Sequence, residues 1–171
     1  HEYIDRLAAG QMYVLDELER RGLLTLNSGA EWVHTGGIGY SDELPAADFD
    51  GESVRCQDIW GGVQSQDLVG ISPAMFEDLF LPHLKPIVER FGLGNYGCCE
   101  PLHDWIPALR QIRNLRRVSI SPWADIHKSA ERLGPDFVFS YKPLPTAVAT
   151  ARMDEAAILA QSVKTFQVTR A

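Results

Sequence analysis

Cysteine is scarce in this chain: three residues in 171, at Cys56, Cys98 and Cys99. An odd count with two adjacent does not read as a disulfide framework, because neighbouring cysteines rarely bridge each other. A reducing, cytoplasmic compartment is the expectation. Long apolar runs are missing as well. None approaches the roughly 18 residues that would span a bilayer, so no membrane partner is expected. Basic residues are in the minority, 16 against 23 acidic ones for a net charge of −7, which argues against nucleic acid as a partner. The chain opens on His1-Glu2-Tyr3. No secretory leader is read there, and without Met at the head His1 is not expected to be the natural start. The metal signatures CxxC and HExxH are absent too. Gly36-Gly37-Ile38-Gly39-Tyr40 lacks the Lys-Ser/Thr ending of a phosphate loop. Asp42, Glu43 and Asp48 follow it, so a mobile acidic lid is the better reading.

What is present suits one soluble domain over residues 1–171, with 45% hydrophobic and 23% charged residues. Apolar positions at Ile4, Leu7, Ala8, Val14, Leu15 and Leu18 predict an amphipathic helix over 2–21, stopped at Gly22. Leu23 to Asn27 reads as a short buried strand, and 28–54 as a long functional loop. Ser72-Pro73 caps a helix running to Phe91, kinked by Pro82 and Pro86. Strands are predicted near 93–98, 116–121 and 136–141, with helices over 102–112, 123–133 and 154–168. Strands alternating with helices at this spacing imply βα units and a parallel sheet. An open doubly wound sheet and a closed (β/α)₈ barrel both fit, and four strands are half of the eight that close a barrel.

In parallel α/β folds, ligands sit at the carboxyl ends of the strands. That rule selects Asn27, Tyr96 to Glu100, Ser121 to Asp125, and Tyr141-Lys142. Cys98 and Cys99 stand there as soft, nucleophilic groups, or as small buried residues at a tight strand exit. His34 and His103 are within reach of this mouth, whereas His83 and His127 read as surface residues. Glu100 and Asp125 are the carboxylates, and Tyr96, Asn27, His103, Trp123 and Lys142 are candidates for contacting substrate. Arg110, Arg113, Arg116 and Arg117 precede a strand. They are read together as a solvated helix end far from the mouth.

The run Val69-Gly70-Ile71-Ser72-Pro73-Ala74-Met75-Phe76-Glu77-Asp78-Leu79-Phe80-Leu81-Pro82 resembles a helix of the uroporphyrinogen decarboxylase superfamily. Tyr96-Gly97-Cys98 stands where that family carries His-x-Cys. Ser119-Ile120-Ser121-Pro122-Trp123-Ala124-Asp125, Arg132-Leu133-Gly134 and Phe137 to Pro143 resemble its following segments in order and spacing. The resemblance covers about residues 1–168. It implies the C-terminal part of a (β/α)₈ TIM-type barrel. It also implies one of two activities: methyl transfer involving a corrinoid, or decarboxylation of a tetrapyrrole. In the first, Cys98, Glu100 and Asp125 are the candidate catalytic residues and Cys98 a zinc ligand, with Tyr96 where the family has its zinc histidine. The partner is then a small molecule or a corrinoid protein. The family's decarboxylase Asp would lie upstream of His1, and its later zinc Cys downstream of Ala171. A third reading is an inactive fragment or a binding domain. Half a barrel leaves sheet edges and the apolar residues Leu24, Leu26, Val118, Ile120, Val138 and Phe139 uncovered, so a homodimer is expected.

Overall fold

The computed structural model describes residues 2–170. Helix α1, Glu2–Arg20, carries the expected apolar stripe. It ends where Gly22 takes φ 63°, a value that favours glycine. Ala8, Met12 and Leu15 pack on the main core, but no residue of α1 is fully buried.

The strand expected over 23–27 does not form. That segment joins no ladder, and Leu23 and Leu26 are exposed. Asn27 instead turns its side chain to the edge of a later strand: its Nδ2 donates to Trp60 O at 3.0 Å and its Oδ1 accepts from Trp60 N at 2.9 Å. The side-chain amide thus stands in for a neighbouring strand's backbone. The long loop that follows holds a small antiparallel ribbon of β1, Trp32–Val33, and β2, Gly37–Ile38, joined by a tight turn over His34–Gly36.

The first strand of the main sheet is β3, Trp60–Val63. Its sequence, Trp-Gly-Gly-Val, carries little β-propensity. Both glycines are sterically required: a Cβ on Gly61 would run into the Phe91 ring, and one on Gly62 into the backbone of Asn95. Next come α2, Pro73–Leu79, and α3, Leu81–Val88. The single kinked helix expected here is broken in two at Phe80, because Pro82 begins a new helix. Ser72 Oγ caps α2 by accepting from Met75 N at 3.2 Å. Strand β4, Leu93–Tyr96, leads to the short helix α4, Ile106–Leu109. Then follow β5, Leu115–Ile120, α5, Ile126–Leu133, β6, Val138–Tyr141, and the helices α6, Pro145–Val148, and α7, Glu155–Thr169.

The sheet is parallel throughout, in the order β3-β4-β5-β6. Consecutive strands are neighbours and the order never reverses. Side chains alternate across a strand. Val63, Tyr96, Val118 and Ile120 therefore face the helices, where they share one core with Phe76, Leu81, Leu102, Ile106, Leu109 and Leu133. Burying each such side chain contributes roughly 1.5–3 kcal/mol. Val118 and Ile120, expected to lie uncovered, are fully buried. The opposite face carries Trp60, Asn95, Arg117 and Ser119 and is covered by the ribbon; Trp60 and Leu93 pack there with Val33 and Leu44. The sheet stays open, with β3 and β6 at its edges, and among the described residues no barrel closes. No helix among them is long and apolar enough to cross a membrane.

Candidate functional site at the carboxyl edge of the sheet

Strand β4 stops at Tyr96, and Gly97 follows with φ 95°. A chain leaving a strand this way frees the next side chains from strict alternation. Cys98 and Cys99 lie side by side, half-buried, with their sulphurs 3.3 Å apart. Glu100 is buried beneath them. Its Oε2 accepts from Cys98 N and its Oε1 from Ser65 N, each at 2.8 Å. The carboxylate thereby ties the exit of β3 to the exit of β4, which makes it a positioning group for the thiol pair. Lys142, just past β6, donates from Nζ to Cys98 O at 2.6 Å. Contact with the Cys98 sulphur, and then burial, push the Cys99 thiol up, while Lys142 opposes them.

The ribbon's turn reaches into this cluster. Thr35 Oγ1 donates to Gly97 O at 2.8 Å. His34 has φ 51°, a left-handed value uncommon for a side-chain-bearing residue. Its Nδ1 lies 3.1 Å from both Thr35 Oγ1 and Asn95 Nδ2. One edge of the ring stays exposed. Packing of the other edge, then the nearby Lys142 charge, lowers its pKa below the ordinary 6.5, and Glu100 acts against them. His34 also lines an open groove of about 700 Å³, between α1, α3 and the free edge of β3.

Asn27 and Tyr96 lie away from this cluster. Asn27 bonds to Trp60, the first residue of β3, so it sits at the amino end of the sheet. Its place at the mouth depended on a strand that does not exist. Tyr96 is fully buried on the helical side, edge-on to Phe76 at 6.1 Å, with its hydroxyl bonded to Ser65 Oγ. Burial raises its pKa well above the ordinary 10.0. Asp125 is the N-cap of α5, its Oδ1 accepting from His127 N and Lys128 N, both at 3.0 Å. These bonds to the backbone, Lys128 first, hold its pKa down. His103 Nδ1 accepts from Asp125 N at 3.3 Å, and Trp123 is exposed nearby.

Arg117 corrects the reading of the basic run. Arg113 pairs with Glu89 and Arg116 with Glu43, at the surface as expected. Arg117 is only 5% exposed and lies on the ribbon-covered face, with its guanidinium 4.6 Å from the centre of the Trp60 ring. The signal for it was present: Arg117, Ser119 and Ser121 alternate with Val118 and Ile120, the two-residue period of a strand with one polar face.

Zinc normally takes three or four protein donors. Cys98 and Cys99 would supply two, Tyr96 is turned away, and among the described residues no group of three or more His, Cys, Asp or Glu is placed to hold a metal ion. Comparison with family models, curated proteins and solved structures finds no match to this chain.

Proposed function

We propose that this chain is part of a (β/α)₈ barrel enzyme similar to the uroporphyrinogen decarboxylase superfamily, acting in methyl transfer involving a corrinoid. The observation that carries the reading is the vicinal thiol pair, held by Glu100 and Lys142 at the carboxyl edge of a parallel sheet. The strand order supports the barrel. Four parallel strands in sequence, with every crossover on one face, are wound as a barrel is wound. A doubly wound sheet reverses its order and covers both faces with helices. A barrel needs further strands beside β3 and β6, and the groove along β3 is where one would add.

A corrinoid, bound here or carried by a partner protein, supplies the methyl group. The residues of this chain receive and position it. In a single turnover Cys98 would be the acceptor: its S–H bond would give way to an S–CH3 bond, with the proton passing to solvent and the electron pair of the broken methyl bond staying with the donor. Lys142 holds the Cys98 backbone through its carbonyl and sets a positive charge near the pair. Glu100 fixes the Cys98 backbone, and Cys99 lies against the Cys98 sulphur.

Cationic groups near the ribbon-covered face, Arg117 and Lys142, favour a second reading. They suit a substrate bearing carboxylates, as in a decarboxylase acting on a tetrapyrrole. The test is to incubate the protein with methylcobalamin and a thiol and follow the methyl-corrinoid absorbance. Protein-dependent loss, abolished by Cys98→Ser, is expected. No loss, with carbon dioxide released from uroporphyrinogen, replaces the first reading by the second. Neither activity would leave a binding domain.

A further inference from the structure

Asn95, Arg117, Ser119 and Ser140 form a polar row across the ribbon-covered face of the sheet. Asn95 pairs in register with Arg117, and Ser119 with Ser140. Asn95 and Ser119 are fully buried and Arg117 nearly so. Among the described residues, three polar atoms of this row have no hydrogen-bond partner: Asn95 Oδ1, Arg117 Nε and Ser119 Oγ. The hydroxyl of Ser121, one step further along the same face, is also buried and unpartnered. Buried polar groups are rarely left unsatisfied, and a cluster of them in one place calls for an explanation.

Charge sharpens the point. The guanidinium of Arg117 gives Nη2 to Ile38 O at 2.5 Å and Nη1 to Gly37 O at 3.4 Å, and lies over the Trp60 ring. All three partners are neutral. No carboxylate acts on this arginine, and burial alone moves its pKa, downward. A buried cation without a counter-charge is strongly unfavourable. The unpartnered Nε and the adjacent Nη2 are the two donors that a carboxylate takes side-on.

We propose that this row is a subsite for the carboxylate of an organic acid, with Arg117 as its anchor and the ribbon Trp32–Ile38 as its cover. The carboxylate takes Nε and Nη2, replacing the Ile38 carbonyl, and Ser119 donates to it. A single guanidinium matches a monoanion better than a phosphate dianion. The cover is tied to the row by hydrogen bonds to its backbone oxygens. Ser140 Oγ donates to Gly36 O at 2.5 Å, and Gly36 has no Cβ because one would collide with Asn95 and Arg117. His34 both bonds to Asn95 and lines the groove along β3. The proposal stands on these buried groups and does not depend on the methyl-transfer reading.

Trp60 is the reporter, since its ring contacts the guanidinium. Titration with propionate is expected to give a saturable change in tryptophan fluorescence that disappears in Trp60→Phe. Propionamide, of the same shape but neutral, should give none. Arg117→Met should abolish the response. Ser119→Ala removes one neutral hydrogen bond to the ligand and should weaken binding by about three- to tenfold, with folding intact. If Arg117→Met fails to fold, Ser119→Ala and Arg117→Lys carry the test, the latter because it keeps the charge and loses the fork. No saturable response to propionate, an equal response to propionamide, or unchanged binding in the variants would overturn the proposal. So would binding of inorganic phosphate in preference to propionate.

Discussion

At the scale of single residues, the sulphurs of Cys98 and Cys99 can stand 3.3 Å apart only because the strand has already ended. Two thiols so placed can close a ring on one trivalent arsenic atom. Phenylarsine oxide should therefore add once per chain, exchanging two S–H bonds for two As–S bonds and releasing its oxygen as water. Mass spectrometry should show the adduct in the wild type and its loss in both Cys98→Ser and Cys99→Ser. Cys56 cannot substitute for either. It is 1% exposed, and burial, followed by its bond with Glu19, pushes its pKa up to about 11. An adduct that survives in a single variant would mean that the two thiols do not act together. Cys98, Glu100 and Lys142 were legible in the sequence because the ends of β4 and β6 suffice to place them. Arg117 was not, since four arginines close together read as one solvated patch. Strand alternation divides them, turning Arg116 out and Arg117 in.

At the scale of elements, β3 is positioned by the short turn before it. Buried Asp58 accepts from Arg55 N and Nε, both at 2.9 Å, and from Ala46 N at 3.3 Å. The Arg55 guanidinium is the largest cause holding the Asp58 pKa below its ordinary 3.8, against the effect of burial. A carboxylate whose pKa is depressed on folding contributes stability that is present above its unfolded pKa and lost as pH falls through the folded one. Urea midpoints should thus drop below about pH 4. Asp58→Asn should flatten that limb and cost about 1.5–3 kcal/mol at neutral pH. An unchanged acid limb in Asp58→Asn would assign the loss to other carboxylates. Elements with strong local signals were legible: β5 from its β-branched residues, and α2 and α5 from the caps at Ser72 and Asp125. β3 was hidden by Gly61 and Gly62, which are there for the packing of Phe91 and Asn95 and carry no strand signal of their own. The apolar run over 23–27 was misread in the opposite sense. Its leucines suggest a buried strand, yet no ladder receives them.

At the scale of the whole molecule, both sheet edges are open, and Leu7, Val14, Val138, Leu159 and Phe166 are exposed. Unpaired edges and apolar surface favour association. Light scattering should report about twice the 19.1 kDa of one chain. The net charge of −7 opposes pairing, so added salt should strengthen it by screening. A stable 19.1 kDa particle at all salt concentrations would mean that the edges are tolerated as they are. The division of the sheet into two faces also bears on how such a chain can change. Val63, Tyr96, Val118 and Ile120 serve the core, whereas Asn95, Arg117, Ser119 and Ser140 look the other way. Drift on the first face is limited by folding. Drift on the second can alter what is bound while the scaffold persists. A lineage built this way can exchange its chemistry one residue at a time without passing through an unfolded ancestor.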